Sequence, residues 1–250
     1  MIYVTGDIHG DPVRLSEEIL EEQKDMTKED YVIVLGDFGL VWDFRGESKD
    51  EKYWLDWLED KPFTTLFIDG NHENFTRLNS YPVEIWHGGK THAIRPSVRH
   101  LMRGECFELE GKKIWAFGGA RSHDIQDGIL DPVDDIDKIR AWRYDLTKLF
   151  RINGVSWWKE EMPNESEMQW GREILARNDN KVDFILTHDC PASIKRIISC
   201  GWYETDALNL YLEDIAHNTE FTAWLYGHNH IDRKDLFKFV GLYEQIARIL

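Results

Sequence analysis

Eight residues of this chain have the types and the spacing to hold metal ions or move protons: Asp7, His9, Asp37, Asn71, His72, His188, His228 and His230. Each lies just past a short apolar run. Strand ends converge in a folded sheet, so residues far apart in sequence can meet there. Asp7-x-His9 and His228-x-His230 place alternate side chains on one side of an extended segment, which lets two ligands address one ion. The donors are carboxylate oxygen, imidazole nitrogen and one amide oxygen, with no thiolate. Such a set suits Mn²⁺ first, with Fe or Zn²⁺ also compatible, rather than a cysteine-rich structural zinc. Seven ligands exceed the needs of one tetrahedral ion and suit two divalent ions sharing a carboxylate. A pair of ions about 3.5–4 Å apart serves in-line displacement at phosphorus, because it lowers the pKa of bound water and neutralises charge on phosphate oxygens. The leaving alkoxide needs an acid, which a spare His beside the site can supply.

The elements that must position these residues follow from periodicity. Ile2–Thr5, Tyr31–Leu35 and Thr65–Ile68 are short, apolar, β-branched runs stopped by Gly-containing polar clusters, and they predict buried strands. Residues 12–22 predict a helix with Asp11 as N-cap, Pro12 at the first position and Val13, Leu15, Ile19 and Leu20 on one stripe. Residues 52–58 predict a second helix. This alternation predicts an α/β fold with a mostly parallel sheet, and ligands of such sheets gather at the carboxyl ends of the strands. Further along, residues 107–109 and 114–117 predict a hairpin turning at Glu110-Gly111. Residues 165–177 and 207–217 predict helices, while 183–186, 222–226 and the stretch 236–250 predict strands. Residues 122–163 are charged and aromatic without periodicity, so they predict a long, partly helical excursion. No repeat, linker or boundary divides the chain, which predicts one domain over residues 1–250 with an insertion-like excursion at about 120–165. Asp11, Asp43, Asp69, His87, His92, His100, His123 and His217 belong to no ordered set and are expected to be solvated or capping residues.

The composition fits a globular protein, with 42% apolar and 30% charged residues. Eleven Trp are expected as core and cleft walls. The net charge of −16 repels phosphate polymers, which disfavours polymeric nucleic acid and favours a small phosphorylated substrate. Three cysteines, Cys106, Cys190 and Cys200, make no disulfide framework and predict buried free thiols in a cytoplasmic protein. The N-terminus MIYVTGDIHG lacks the basic and apolar regions of a signal peptide, and no apolar run approaches the ~18 residues of a membrane span, so no membrane association is expected. No segment specifies an oligomeric state.

Gly6-Asp7-Ile8-His9-Gly10, Gly36-Asp37, Gly70-Asn71-His72-Glu73, Thr187-His188 and Gly227-His228-Asn229-His230 together resemble the motif series of calcineurin-like metallophosphoesterases. The resemblance runs from residue 6 to residue 230. It implies a four-layer α/β/β/α sandwich of two mixed sheets with flanking helices and a dimetal site at the sheet edge. It implies that Asp7, His9 and His230 hold one metal, that Asn71, His188 and His228 hold the other, and that Asp37 bridges both. His72 would then contact the scissile phosphate and protonate the leaving group during in-line attack by a hydroxide bridging the two ions. In the Ser/Thr protein phosphatase branch the second motif continues GDxVDRG, whereas here Leu40 and Val41 stand where that branch has its His-orienting Asp and phosphate-binding Arg. That activity is accordingly disfavoured, and another group must orient His72. The segment containing Gly118-Gly119-Ala120-Arg121-Ser122-His123-Asp124 also resembles phage-like bacterial phosphoesterases. Arg121, after its glycine turn, is the first candidate for a phosphate clamp, with Arg45 and Arg77 behind it. The expected substrate is a phosphomonoester or small phosphodiester. A nucleotide phosphodiesterase or nuclease of the same superfamily is the alternative, favoured if Trp42, Trp157 or Trp158 faces the metals. A catalytically idle scaffold would require a missing ligand.

Overall fold

Period-two alternation decides which face of each strand meets which layer. In the computed structural model, which describes residues 1–235 and 238–250, the first half of the chain runs β1 (Ile2–Thr5), β2 (Tyr31–Val34), α1 (Lys49–Glu59), β3 (Thr64–Phe67), α2 (Phe75–Leu78), β4 (Val83–Trp86), β5 (Gly89–Arg95), β6 (Val98–Leu101), β7 (Glu105–Leu109) and β8 (Lys112–Phe117). The second half adds β9 (Gly128–Leu130), α3 (Ile136–Trp142), β10 (Phe150–Ile152), α4 (Glu165–Arg177), β11 (Phe184–Thr187), α5 (Ala192–Ile198), α6 (Ala207–Asn218), β12 (Ala223–Tyr226), β13 (Arg233–Asp235), β14 (Phe239–Gly241) and β15 (Ile246–Arg248). One sheet has the order β15-β1-β2-β3-β6-β5-β4, and the other β13-β14-β12-β11-β8-β7.

The sheets face each other across a core of Ile2, Val4, Ile33, Leu35, Leu66 and Ile68 from the first and Phe107, Ile114, Ala116, Leu186 and Leu225 from the second. The intervening residues point outward. Tyr3, Val32, Val34 and Phe67 pack with Leu55 and Leu58 of α1. Trp115, Phe117, Ile185 and Trp224 pack with Leu175 of α4, Ile194 of α5 and Leu208, Leu212 and Ile215 of α6. The expected four layers are therefore present. Burying one such Leu or Ile contributes about 1.5–3 kcal/mol, so a charge at Leu186, between the sheets, would undo both at once.

Helix ends are set by sequence. Ser48 and Glu51 form a capping box for α1, Asn164 and Glu167 one for α4, and Asp206 and Asn209 one for α6. The hairpin turn falls at Glu110-Gly111, both with positive φ (51° and 69°), as the tight two-residue connection requires.

Several expectations are corrected. Residues 12–22 do not form one helix. Val13–Leu15 and Glu21–Asp25 are separate 3-10 turns, because Ser16 is extended and only Leu15 and Leu20 of the four stripe residues are buried, leaving Val13 and Ile19 exposed. A full α-helix would have needed all four against the core. The expected strands of 236–250 are β14 and β15, while residues 236–237 of that stretch lie outside the described residues. The hairpin β4–β5, strand β6 and helix α5 were not expected. The alternation of β5 is broken by a register shift between Ala93 and Arg95, which hides its period. The excursion holds α3 and a two-stranded parallel sheet of β9 and β10. Of the thiols, Cys190 is buried and Cys106 half-buried, but Cys200 is exposed past the end of α5. No helix among the described residues is long and apolar enough to cross a membrane.

Candidate metal centre

Parallel register brings the ligand-bearing loops to one edge. Thr5 is level with Val34, and Val34 with Phe67. In the other sheet Phe117, Thr187 and Tyr226 are level. The residues just past these positions carry Asp7 and His9, Asp37, Asn71 and His72, His188, and His228 and His230. The strand ends of both sheets thus meet at one place.

The side chains form three overlapping groups whose ligand atoms lie within 4.8 Å of one another: Asp7, His9 and His230; His9, Asp37 and His72; and Asp37, His188 and His228. His230 Nε2 is 3.1 Å from Asp7 Oδ2 and 3.1 Å from His9 Nε2. His188 Nε2 is 3.3 Å from Asp37 Oδ1, and His9 Nδ1 is 3.8 Å from Asp37 Oδ2. Asp37 belongs to two of the groups, as a shared carboxylate must.

Backbone contacts fix these side chains. His188 Nδ1 donates to Leu35 O at 2.6 Å, which turns Nε2 toward the Asp37 carboxylate and makes it the nitrogen open to a metal once its proton is lost. The N–H of His228 donates to Asp7 Oδ1 at 2.9 Å and that of His72 to Asp37 Oδ1 at 2.8 Å. Glu73, fully buried, accepts from the N–H groups of Phe38 and Gly39 and so anchors the Asp37 loop. A Cβ at Gly36 would stand 2.2 Å from His188 Nδ1, and one at Gly70 2.1 Å from Asp37 Oδ1. The motif glycines are there because the ligands press against the backbone.

Four of the candidate ligands, His9, Asp37, His228 and His230, have left-handed φ of 45–59°. Each such residue costs about 1–3 kcal/mol, a strain that clusters at functional sites. Polar satisfaction points the same way. Asp7 Oδ2, Asn71 Oδ1 and His188 Nε2 are buried and make no hydrogen bond. Asp7 Oδ2 lies 3.1 Å from His230 Nε2 and His188 Nε2 3.3 Å from Asp37 Oδ1, so the nearest groups to both atoms are other members of the cluster. Buried polar atoms without hydrogen-bond partners are costly, and carboxylate oxygen, amide oxygen and imidazole nitrogen can all bind a divalent cation. The donor set therefore fits two such ions.

Charge follows geometry. Burial would push the His188 imidazolium down, but the carboxylates of Asp37 and Asp7 outweigh it and hold its pKa well up; burial would raise the Asp37 carboxyl, but His188 first, then His72 and His228, hold it low. His228 is pushed down to about 4 by burial. His72 is also lowered, first by burial and then by Arg151 and His9, with Asp37 and Asp124 opposing.

The ring of His72 makes no hydrogen bond among the described residues. It is held by packing: Trp42 lies 5.7 Å away at a 31° tilt, and the edge of His9 lies 5.2 Å away. Trp158 packs edge-on against Trp42 and donates through Nε1 to Thr76 Oγ1. Of the aromatic candidates, Trp42 is thus the one beside the centre.

The clamp candidates separate. Arg77 is committed through Nη1 to Glu51, at 2.8 and 2.9 Å, and to Asp43 O; the expectation that it serves as a clamp is corrected, because the Glu51 carboxylate and the loop it holds already take up its charge. Arg45 is exposed and forked onto Asp43. Arg121 is exposed, with no ion pair or hydrogen bond among the described residues. Sequence reasoning missed Arg151, which pairs with Asp124 (2.9 Å from Nε) and acts on His72 through its charge. It missed Ser122 and Glu161, which reach Asn71, and the buried chain His92–His100–Asp69–Arg103 behind the Asn71 loop. Asp69, His92 and His100 are thus neither ligands nor solvated. Their signal, a polar residue in an apolar strand or turn, has no fixed spacing.

The calcineurin-like phosphoesterase family model matches residues 1–232. Among curated proteins, the chain is 26% identical to lariat debranching enzyme A of Xenopus laevis over 72% of this chain and 35% of the relative. It is 24% identical to the lariat debranching enzyme of Caenorhabditis briggsae over 80% and 38%, and 22% identical to that of Homo sapiens over 99% and 44%. The chain spans about a third to somewhat under half the length of these relatives. With 232 of 250 residues inside the match and every motif at one sheet edge, the chain belongs to the calcineurin-like phosphoesterase family.

Proposed function

We propose that this chain is a dimetal phosphoesterase. Asp7, His9 and His230 would hold one ion, Asn71, His188 and His228 the other, and Asp37 both. The observation that carries this is the trio of buried atoms without hydrogen-bond partners, Asp7 Oδ2, Asn71 Oδ1 and His188 Nε2, gathered at one sheet edge by both sheets. When bound, two divalent ions would supply Lewis acidity at phosphorus and a lowered pKa for water; Mn²⁺ is the first choice, with Fe or Zn²⁺ also suited. His72 acts as the proton donor to the leaving oxygen. Trp42 and His9 hold its ring in place, and Asp37 favours its charged form. Arg121, exposed and without an ion pair among the described residues, is the guanidinium group available to phosphate oxygens, whereas Arg151 is held by Asp124.

Two observations favour a phosphodiester over a monoester. The relatives are named for debranching lariats, and Trp42 offers a stacking face beside His72. The net charge of −16 argues against long-range attraction of a polymer but not against cleavage of a diester that Trp42 grips locally. A single domain over 1–250, with the excursion serving the site, and a cytoplasmic placement consistent with the three free thiols, complete the proposal.

The test compares chelator-treated and Mn²⁺-reconstituted protein on p-nitrophenyl phosphate, bis(p-nitrophenyl) phosphate and short branched and linear oligonucleotides. Hydrolysis should vanish on chelation, return with Mn²⁺ and favour diesters. Robust activity in the metal-free protein would refute the dimetal assignment, and preference for the monoester would refute the diester assignment alone.

A further inference from the structure

Asn71 is the one proposed ligand whose donor atom is ambiguous by chemistry. Its side chain offers an oxygen that can bind a cation and an NH₂ that cannot. Something must decide which of the two faces the metals. Asn71 Nδ2 lies 3.4 Å from Ser122 Oγ. Ser122 Oγ lies 2.6 Å from Glu161 Oε2, and the Ser122 N–H donates to Glu161 Oε1 at 2.9 Å. All three residues are buried, Glu161 to 2% exposure.

The direction of the chain follows from what each group can do. A carboxylate only accepts, so the hydroxyl proton of Ser122 is committed to Glu161. The Ser122 oxygen is then an acceptor toward Asn71. Asn71 must therefore turn its NH₂ to Ser122, which leaves Oδ1, the buried atom without a hydrogen-bond partner, for a cation. Burial raises the Glu161 carboxyl, and both Ser122 donors oppose that rise.

The far end of the chain is anchored. Arg103, buried, donates to Asp69, two residues before Asn71, and to the carbonyl oxygens of Glu160 (2.8 Å) and Glu161 (3.3 Å). Gly119 makes room, since a Cβ there would stand 2.7 Å from Glu161 O. The excursion is thereby tied to the loop that carries the ligand.

We infer that Glu161 and Ser122 are positioning residues that orient the Asn71 amide for the metal shared with His188 and His228, so that the excursion governs occupancy of one of the two metal positions. This rests on Asn71 being a ligand. The shared chemistry is that of an outer partner fixing a metal ligand, whose loss commonly weakens metal affinity about 10–100-fold.

The test titrates metal-free full-length parent, Ser122→Ala, Glu161→Gln, Asn71→Ala and Asn71→Asp with Mn²⁺ by calorimetry, counts bound Mn²⁺ by electron paramagnetic resonance, and follows folding by thermal melts. Glu161→Gln keeps shape but must set an NH₂ against either the Ser122 N–H or its hydroxyl, so it tests the chain if Ser122→Ala fails to fold. Both variants should weaken one Mn²⁺ position about 10–100-fold and leave the other unchanged. In the Asn71→Asp background, where either oxygen can bind metal, adding Ser122→Ala should have no further effect. Parent-like affinity at both positions in the folded Ser122→Ala and Glu161→Gln proteins overturns the inference. If Asn71→Ala loses an ion in the same series, Asn71 remains a ligand. If Asn71→Ala keeps both ions, the ligand assignment fails and takes the inference with it.

Discussion

The two halves of the proposed metal cluster are built by different means. The inner half is made of the interior: the side chains of His188 and Asp37 are 0% and 3% exposed, and the His188 ring is pinned by the Leu35 carbonyl. The outer half combines the buried Asp7 with His9 and His230, which are 36% and 47% exposed. His230 meets His9 and Asp7 through Nε2, at 3.1 Å each, and stacks on Tyr243, 4.3 Å away and 17° from parallel, with Arg14 over the Tyr243 ring. The inner candidates are thus fixed by burial and backbone hydrogen bonds, the outer ones by side-chain contacts and a stack that water reaches. Rigid, dehydrated ligands hold ions tightly and exchange them slowly; exposed imidazoles do the reverse. The difference predicts two unequal ions.

The largest effect should come from the residue common to both halves. Asp37→Ala should remove both ions, and turnover should fall to the metal-free level, as metal analysis and hydrolysis of bis(p-nitrophenyl) phosphate would show. Retention of two ions would break the idea that Asp37 joins the halves. Next, His72→Ala should leave both ions bound yet cost about 10²–10⁴-fold in turnover, the usual contribution of a general acid. A drop in metal content with turnover intact would make His72 a ligand instead.

The comparison itself is sharpened by chelator kinetics. Mn²⁺ release into a chelator should be biphasic, with the fast phase absent from His230→Ala and the slow phase absent from His188→Ala. A single phase in the parent would mean that burial does not separate the ions. Saturating each position should also raise stability, by about 2.7 kcal/mol at a hundredfold excess over Kd.

A smaller effect concerns protons. In the metal-free protein Asp37 and Asp7 keep the His188 pKa above that of a free imidazole. A raised folded pKa adds stability below the unfolded value, and that stability is lost as pH rises through the folded pKa. An ion at His188 must displace the proton, so metal uptake should release protons and apparent affinity should rise with pH across the neutral range. Calorimetry in buffers of different ionisation enthalpy measures the release; no buffer dependence would contradict it. The smallest effect is expected of Arg45→Ala, an exposed residue paired within its own loop, which should change stability by no more than about 0.5 kcal/mol.

The clustering of the candidate ligands could be read from sequence because each follows a short buried strand, and a strand end fixes where the next residues go. Asp7, Asp37 and His188 are legible for that reason, as are the layers set by the alternation of Ile2, Val4, Ile33 and Leu66. The supports were not legible. Ser122 and Glu161 are ordinary residues 39 positions apart, and no local pattern says that an excursion without periodicity will fold back onto Asn71. Asp69 and Arg103 pair for the same hidden reason. The 12–22 region misled because its apolar spacing fits a helix, while the chain needs two short turns to bring Arg14 to Thr5 and to the carbonyl of Tyr243. The orientation of His72 also had no sequence signal: with Leu40 and Val41 in place of Asp and Arg, packing against Trp42 takes over.

The central claim is that two ions share Asp37 at the meeting point of both sheets. Anomalous X-ray diffraction from Mn²⁺-soaked crystals tests it directly. Two peaks about 3.5–4 Å apart should appear, one bounded by Asp7, His9 and His230, the other by Asn71, His188 and His228, with Asp37 between them. A single peak, or two peaks that do not share Asp37, would contradict it.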